Sequence, residues 1–178
     1  MDTYKKKQIR AYMDLLFTQI EHFLLNSTYW NWDFYNTLEN KDNWNLENFS
    51  LLGPDRIPRH TDIAARPYPV YSSAEPELLF FNLSSKYCAI ILKGSVVDEP
   101  TVIYIPSKIH YKPFFKVWAT SDQVEWDTKE QFLYWFPNKK MILNQIIIAP
   151  SQNLDESILP ATSRDLLHQI SFSKDFNN

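Results

Sequence analysis

Apolar residues recur at Ile9, Tyr12, Met13, Leu16, Phe17, Ile20, Phe23 and Leu24. At 3.6 residues per turn they fall within an arc of roughly 140°. That spacing predicts a helix over residues 3–26 with this arc on the core. Arg10, Asp14, Thr18, Glu21 and His22 then turn to solvent. Residues 27–53 lose the periodicity. Asn-rich polar stretches alternate with Tyr29, Trp30, Trp32, Phe34, Tyr35, Leu38, Trp44, Leu46 and Phe49. A short helix near 31–39 fits, and the rest reads as irregular chain pinned by aromatic rings.

The stretch 54–76 carries Pro54, Pro58, Pro67, Pro69 and Pro76. Each proline removes a backbone donor, fixes φ and biases its predecessor toward extended geometry. This stretch is expected to be an extended connection over the surface. Beyond it the texture changes. Leu78–Leu83 and Tyr87–Leu92 are apolar runs split by Ser84-Ser85-Lys86, a hairpin signal. Their near-continuous hydrophobicity suggests strands covered on both faces. Thr101–Ile105 and Phe114–Ala119 read as a third and fourth strand, bounded by prolines. Asp127-x-x-Glu130 has the logic of a capping box, which predicts a helix carrying Phe132, Leu133, Trp135 and Phe136. Met141–Ala149 reads as a fifth strand, with a short helix as the rival. Thr162-x-x-Asp165 opens a terminal helix through about Ile170, and the last six residues are expected to fray.

These elements predict an α+β fold in a single domain spanning 1–178. A mainly antiparallel four- to five-stranded sheet is packed by the N-terminal helix and by C-terminal helices. Its parts are a helical, aromatic stretch (1–53), the Pro/Arg loop (54–76), and a sheet with two helices (77–178).

Composition narrows the chemistry. Two glycines, Gly53 and Gly94, stand far apart among 178 residues, where average usage would give roughly 12. Phosphate-cradling loops that need clustered glycines are excluded. A net charge of −3 argues against a general polyanion binder. One cysteine, Cys88, permits no internal disulfide and no Cys-based zinc site, and its apolar run points to a buried, inert thiol. The four histidines make no metal-binding spacing, so neither a metal nor a cofactor is expected. No signal peptide or membrane span is read in the chain, and a cytoplasmic setting is expected.

Two constellations remain. Arg56, Arg59, His60 and Arg66 place three fixed positive charges and a titratable ring within eleven residues. Arginine forks bind carboxylate or phosphate bidentately, and prolines lower the cost of ordering the loop. Trp30 and Trp32 would share a face of an extended chain and could present a stacking pair. Against these stand structural alternatives: internal staples for the arginines, and a buried plug for the tryptophans. Other patterns are weaker. Asp55 with Asp127-Thr128-Lys129 imitates a metal-dependent nuclease motif at the wrong spacing. Glu75 and Glu77 would share a face if extended, but a lone acidic pair is ordinarily solvated, and a glycosidase is set aside.

The leading expectation is therefore a small intracellular partner-binding protein of immunity, antidote or regulatory type, without catalysis of its own. Its partner would be another protein. Nucleic acid is not favoured, a membrane is not expected, and oligomeric state is left open. The alternative is an enzyme acting on nucleic acid or a phosphorylated ligand, with the arginine loop as anion site.

Overall fold

The computed structural model describes residues 3–29, 31–33, 35, 49–150 and 153–177. After helix α1 (Thr3–His22) and one-turn helix α2 (Thr61–Ala64) come β1 (Tyr68–Tyr71), β2 (Glu75–Phe81), β3 (Cys88–Lys93) and β4 (Thr101–Tyr104). The one-turn helix α3 (Ser107–His110) leads to β5 (Phe114–Ala119), β6 (Val124–Asp127), β7 (Phe132–Trp135) and β8 (Leu143–Ala149). Helix α4 (Ala161–Asp165) and β9 (Phe172–Asn177) follow. The fold is α+β, and its strands form two antiparallel sheets where one was expected. One sheet has the order β1-β4-β7-β6, the other β2-β3-β8-β5-β9.

The sheets pack face to face. Cys88, Ile90 and Leu92 of β3, Ile146 and Ile148 of β8, and Phe115 and Val117 of β5 meet Ile103 of β4 and Leu133 and Trp135 of β7. The alternate residues of the five-stranded sheet face outward yet are also buried. Ala89, Trp118, Ile147 and Ala149 lie beneath Leu154, Ile158, Leu159, Leu167 and Ile170. Both faces of β3 and β8 are thus covered, which explains their unbroken apolar runs. The strand reading of 141–149 holds, and β8 is the central strand of its sheet. Cys88 is fully buried, and burial pushes its thiol far above the ordinary range.

The β2–β3 hairpin turns where Ser-Ser-Lys predicts. Asn82 Oδ1 accepts the N–H groups of Ser84 and Ser85, both at 3.0 Å. The same chemistry misleads at Asp127. Its Oδ1 accepts the N–H groups of Lys129 and Glu130 at 2.9 and 3.0 Å, as a helix cap would. Gln131 then takes a left-handed φ of 60° and the chain reverses into β7, so the expected helix is a β6–β7 hairpin. The Pro-rich stretch is also more structured than read, holding α2, β1 and the start of β2. The terminal helix is split into α4 and a 3₁₀ turn at Leu167–Gln169. The tail does not fray, because β9 pairs with β5 from Phe114↔Asn177 to Ala119↔Phe172. The expected helix near 31–39 lies mostly outside the described residues.

Helix α1 forms where expected but is rotated. Met13 is fully buried, and Phe17 and Ile20 are half-buried. Tyr12, Leu15 and Leu16 face solvent, as does Phe23 just past the helix end. Arg10, Asp14 and Glu21, assigned to solvent by the periodicity, turn toward the body of the protein, where Arg66 and Asp62 meet them.

Candidate functional site

The arginine loop does not gather on one surface. Arg66, read as an anion-binding fork, is 5% exposed. Its Nε donates to Glu21 Oε1 at 2.5 Å and its Nη2 to Glu21 Oε2 at 3.0 Å, Thr18 Oγ1 at 3.3 Å and the Phe81 carbonyl at 3.2 Å. Nη1 donates to Asp14 Oδ1 at 2.8 Å. The guanidinium carbon lies 4.9 Å from the Phe81 ring centroid. This fork is filled by the protein's own carboxylates, so Arg66 is corrected from a ligand site to an internal tie for α1. Burial lifts the Glu21 carboxyl above its ordinary range, against the opposing pull of Arg66.

The other members separate. Arg56 is exposed at the tip of a turn with φ 60°, its N–H bonded to the Gly53 carbonyl. Arg59 is half-buried, and its Nε donates to the Ser50 carbonyl at 2.8 Å. His60 is buried at the start of α2, and burial, then Arg10 and Arg59, hold its ring below the ordinary value. Trp32 is exposed. Trp30 lies outside the described residues. Among those residues no group of three or more His, Cys, Asp or Glu side chains is placed to hold a metal ion. Glu75 and Glu77 are exposed on β2, where Glu77 pairs with Lys93 at 3.5 Å.

A different surface is better built for a ligand. In the four-stranded sheet, Ile103, Leu133 and Trp135 point into the sandwich, so the alternate residues point away from it. Register places Tyr68, Tyr104, Phe132 and Asp127 side by side across the sheet, and Tyr71, Val102, Tyr134 and Glu125 in the next row. The Tyr68 and Tyr104 rings lie 5.6 Å apart, and Tyr104 and Phe132 6.4 Å. Tyr68 and Tyr71 are exposed, and Tyr104, Phe132 and Tyr134 half-buried. Burial, with Tyr68 adding to it, raises the Tyr104 phenol above its ordinary range. The face therefore offers a continuous aromatic surface with hydroxyl groups on it and Glu125 and Asp127 at one edge. Aromatic faces with polar tips suit ligands that are apolar on one side and hydroxylated on the other. Sequence reading missed this surface because residues 132–136 were assigned to a helix. The β-prone aromatic run Phe132-Leu133-Tyr134-Trp135 was the available signal.

A polar cleft of ≈500 Å³ lies where 96–99, 120–123 and 136–139 meet. Asp98, Glu99, Asp122, Gln123 and Asn138 line it, with Lys139 paired to Asp98. It offers acceptors and amides but little apolar surface.

No protein-family model matches the chain, and no curated protein matches it in sequence. Solved structures do share its fold. Sterylglucosidase 1 of Cryptococcus neoformans superposes at a TM-score of 0.67 and 22% identity over 81% of this chain and 25% of its own. Endo-glycoceramidase II from Rhodococcus sp. does so at 0.63 and 17% identity, over 80% of this chain and 30% of its own. The chain thus spans between a quarter and a third of the length of these structures. The likeness at this identity is one of fold. The expectation of a non-catalytic protein of immunity or antidote type is contradicted by this comparison, since both of these structures are of glycosidases.

Proposed function

We propose that this chain serves the hydrolysis of lipid-linked glycosides, as the β-sandwich part of a glycosidase, and that the aromatic face of the four-stranded sheet holds the sugar. The observation that carries the reading is the superposition of four-fifths of the chain on two glycosidases. The names of both specify a sugar joined to a lipid, a sterol in one and a ceramide in the other. The aromatic rows supply the chemistry. A pyranose presents axial C–H groups to a ring face while its hydroxyls reach carboxylates and phenols at the rim. Tyr68, Tyr104 and Phe132 would take the sugar face, and Glu125 its hydroxyls. A cytoplasmic setting belongs to the same proposal, supported by a sequence with one cysteine and so no internal disulfide.

The test combines binding and turnover. Calorimetric titration with short-chain, water-soluble glucosides and lactosides measures affinity. Release of free sugar from steryl glucoside and glucosylceramide measures hydrolysis. Tyr104→Ala is expected to weaken sugar binding about ten-fold, the value of one aromatic contact of about 1.4 kcal/mol. Equal affinity in Tyr104→Ala and the unaltered protein would remove the aromatic face from the reading. Absence of both binding and hydrolysis would overturn it.

A further inference from the structure

We propose that the groove between the end of α1 and β1 binds a sterol, the lipid part of a steryl glycoside. It encloses ≈610 Å³, within the range of small-molecule sites. Phe17 and Ile20 of α1, with Leu24 and Leu25 just past its end, form one wall, and Tyr68 and Val70 of β1 form the other. The first wall is built at a conformational cost. The Leu25 N–H bonds to the Ile20 carbonyl at 2.9 Å and the Leu24 N–H to the Glu21 carbonyl at 3.1 Å, which closes the helix with Leu24 in the left-handed region at φ 51°. That closing position ordinarily goes to glycine. A leucine kept there, and lining the groove, points to a use for the side chain rather than for the turn.

Charge and shape select the occupant. Among the described residues lining the groove the charged ones are Glu21 and Arg66. They neutralise each other, since Nε and Nη2 of Arg66 donate to the two Glu21 carboxylate oxygens at 2.5 and 3.0 Å. A charged headgroup or a fatty-acid carboxylate would find no unpaired counter-charge there, so the ligand is uncharged. The walls are stiff. Pro67, Pro69 and Pro76 fix the backbone on one side, and Arg66 ties α1 to the body through Asp14 and Glu21 on the other. A rigid fused-ring lipid meets such walls with few rotors to freeze, whereas an acyl chain must freeze many. Tyr68 joins the groove to the aromatic face, since its ring lies 5.6 Å from that of Tyr104. A sugar on the aromatic rows and a sterol bonded to it can therefore lie on one continuous surface.

The inference rests on the lipid-linked substrate proposed above, and its test is independent of that reading because it uses free lipids that carry no sugar. The whole protein is titrated into dehydroergosterol, a fluorescent sterol, and binding is followed by fluorescence anisotropy. Saturable binding at one site per chain is expected, displaced by cholesterol and not by palmitate or a short-chain ceramide. Leu24→Gly should weaken it about ten-fold, the worth of burying one leucine side chain. Its urea midpoint should stay equal or rise, because glycine relieves the left-handed turn. Val70→Glu, at an exposed residue of β1, should weaken binding as far without moving the midpoint. Ile142→Glu, exposed and outside the groove, should bind as the unaltered protein does. No sterol binding, displacement by ceramide or palmitate as readily as by cholesterol, or binding that survives both Leu24→Gly and Val70→Glu would overturn the proposal. Sterol binding by a protein that neither binds nor cleaves glycosides would leave the groove as a sterol site and remove the glycosidase reading. Glycoside binding without sterol binding would do the reverse.

Discussion

Strand β8 and helix α1 are fastened to the same body by unlike forces. Ile146, Ile147 and Ile148 have no exposed surface, the outer two facing the opposite sheet and the middle one the 154–170 segment. Their attachment comes from apolar area removed from water, summed over two faces. Among its described side chains helix α1 fully buries one apolar residue, Met13, and it takes its orientation from Arg66, Asp14 and Glu21. Apolar contact is indifferent to small rotations, whereas a fork with two carboxylates fixes one. The rotation leaves apolar area uncovered, so the ion pairs set how the helix sits at a cost in burial.

The largest effect should follow from opening the sandwich. Phe115 is fully buried and stacks on Phe176 at 5.5 Å and edge-on against Trp126 at 5.0 Å. Phe115→Ala should cost about 3–5 kcal/mol, read from urea unfolding. Next comes Arg66→Met, which strands Glu21. It should cost about 3 kcal/mol, the low end for a broken buried pair, because Asp14 keeps partial access to water. Hydrogen exchange should then show protection lost over 3–22 and kept in β3 and β8. Arg66→Met/Glu21→Leu should recover most of the loss. Uniform loss of protection would show that helix and sheet are one cooperative unit, and the contrast would fail.

A smaller effect concerns His60 and His110. His110 Nε2 donates to the Ala65 carbonyl at 2.7 Å, and burial holds both rings below the ordinary value of 6.5. The unfolded chain then binds protons that the folded one does not. Stability from these rings is complete above about pH 6.5 and falls as pH drops below it. The urea midpoint should be lower at pH 5.5 than at pH 7.5, and His110→Asn should flatten that slope. The smallest effect is expected at Arg10, whose pair with Asp62 is half-exposed. Arg10→Ala should change stability by less than about 1 kcal/mol. A larger loss would mean that α1 is held as much by Asp62 as by Arg66.

What was legible in the chain follows the range of the interactions. Strands β2, β3, β4, β5 and β8 announce themselves because burial on one or both faces writes apolar runs between prolines and turns. The hairpin at Asn82 was legible for the same local reason. Asp127 was misread because an aspartate that accepts two following N–H groups serves a helix start and a tight turn equally, and only Gln131 at positive φ decides between them. The rotation of α1 was not legible, since its determinant, Arg66, lies 45 residues from Glu21. The candidate site suffered both faults. Arg66, read as part of a ligand fork, is an internal tie, and the aromatic rows appear only once β4 and β7 are paired.

The position of β9 sets an order of events during synthesis. Strand β5 has β8 on one side and β9 on the other, and β9 follows every other described strand along the chain, so it leaves the ribosome after them. Until Phe172–Asn177 arrives, one edge of β5 keeps its backbone donors and acceptors unpaired, and Phe115 lacks its stacking partner Phe176. Such an edge is a template for strands from other chains. A nascent or clipped chain ending before Phe172 should therefore be held by chaperones or accumulate as aggregates, even though the other described strands are present.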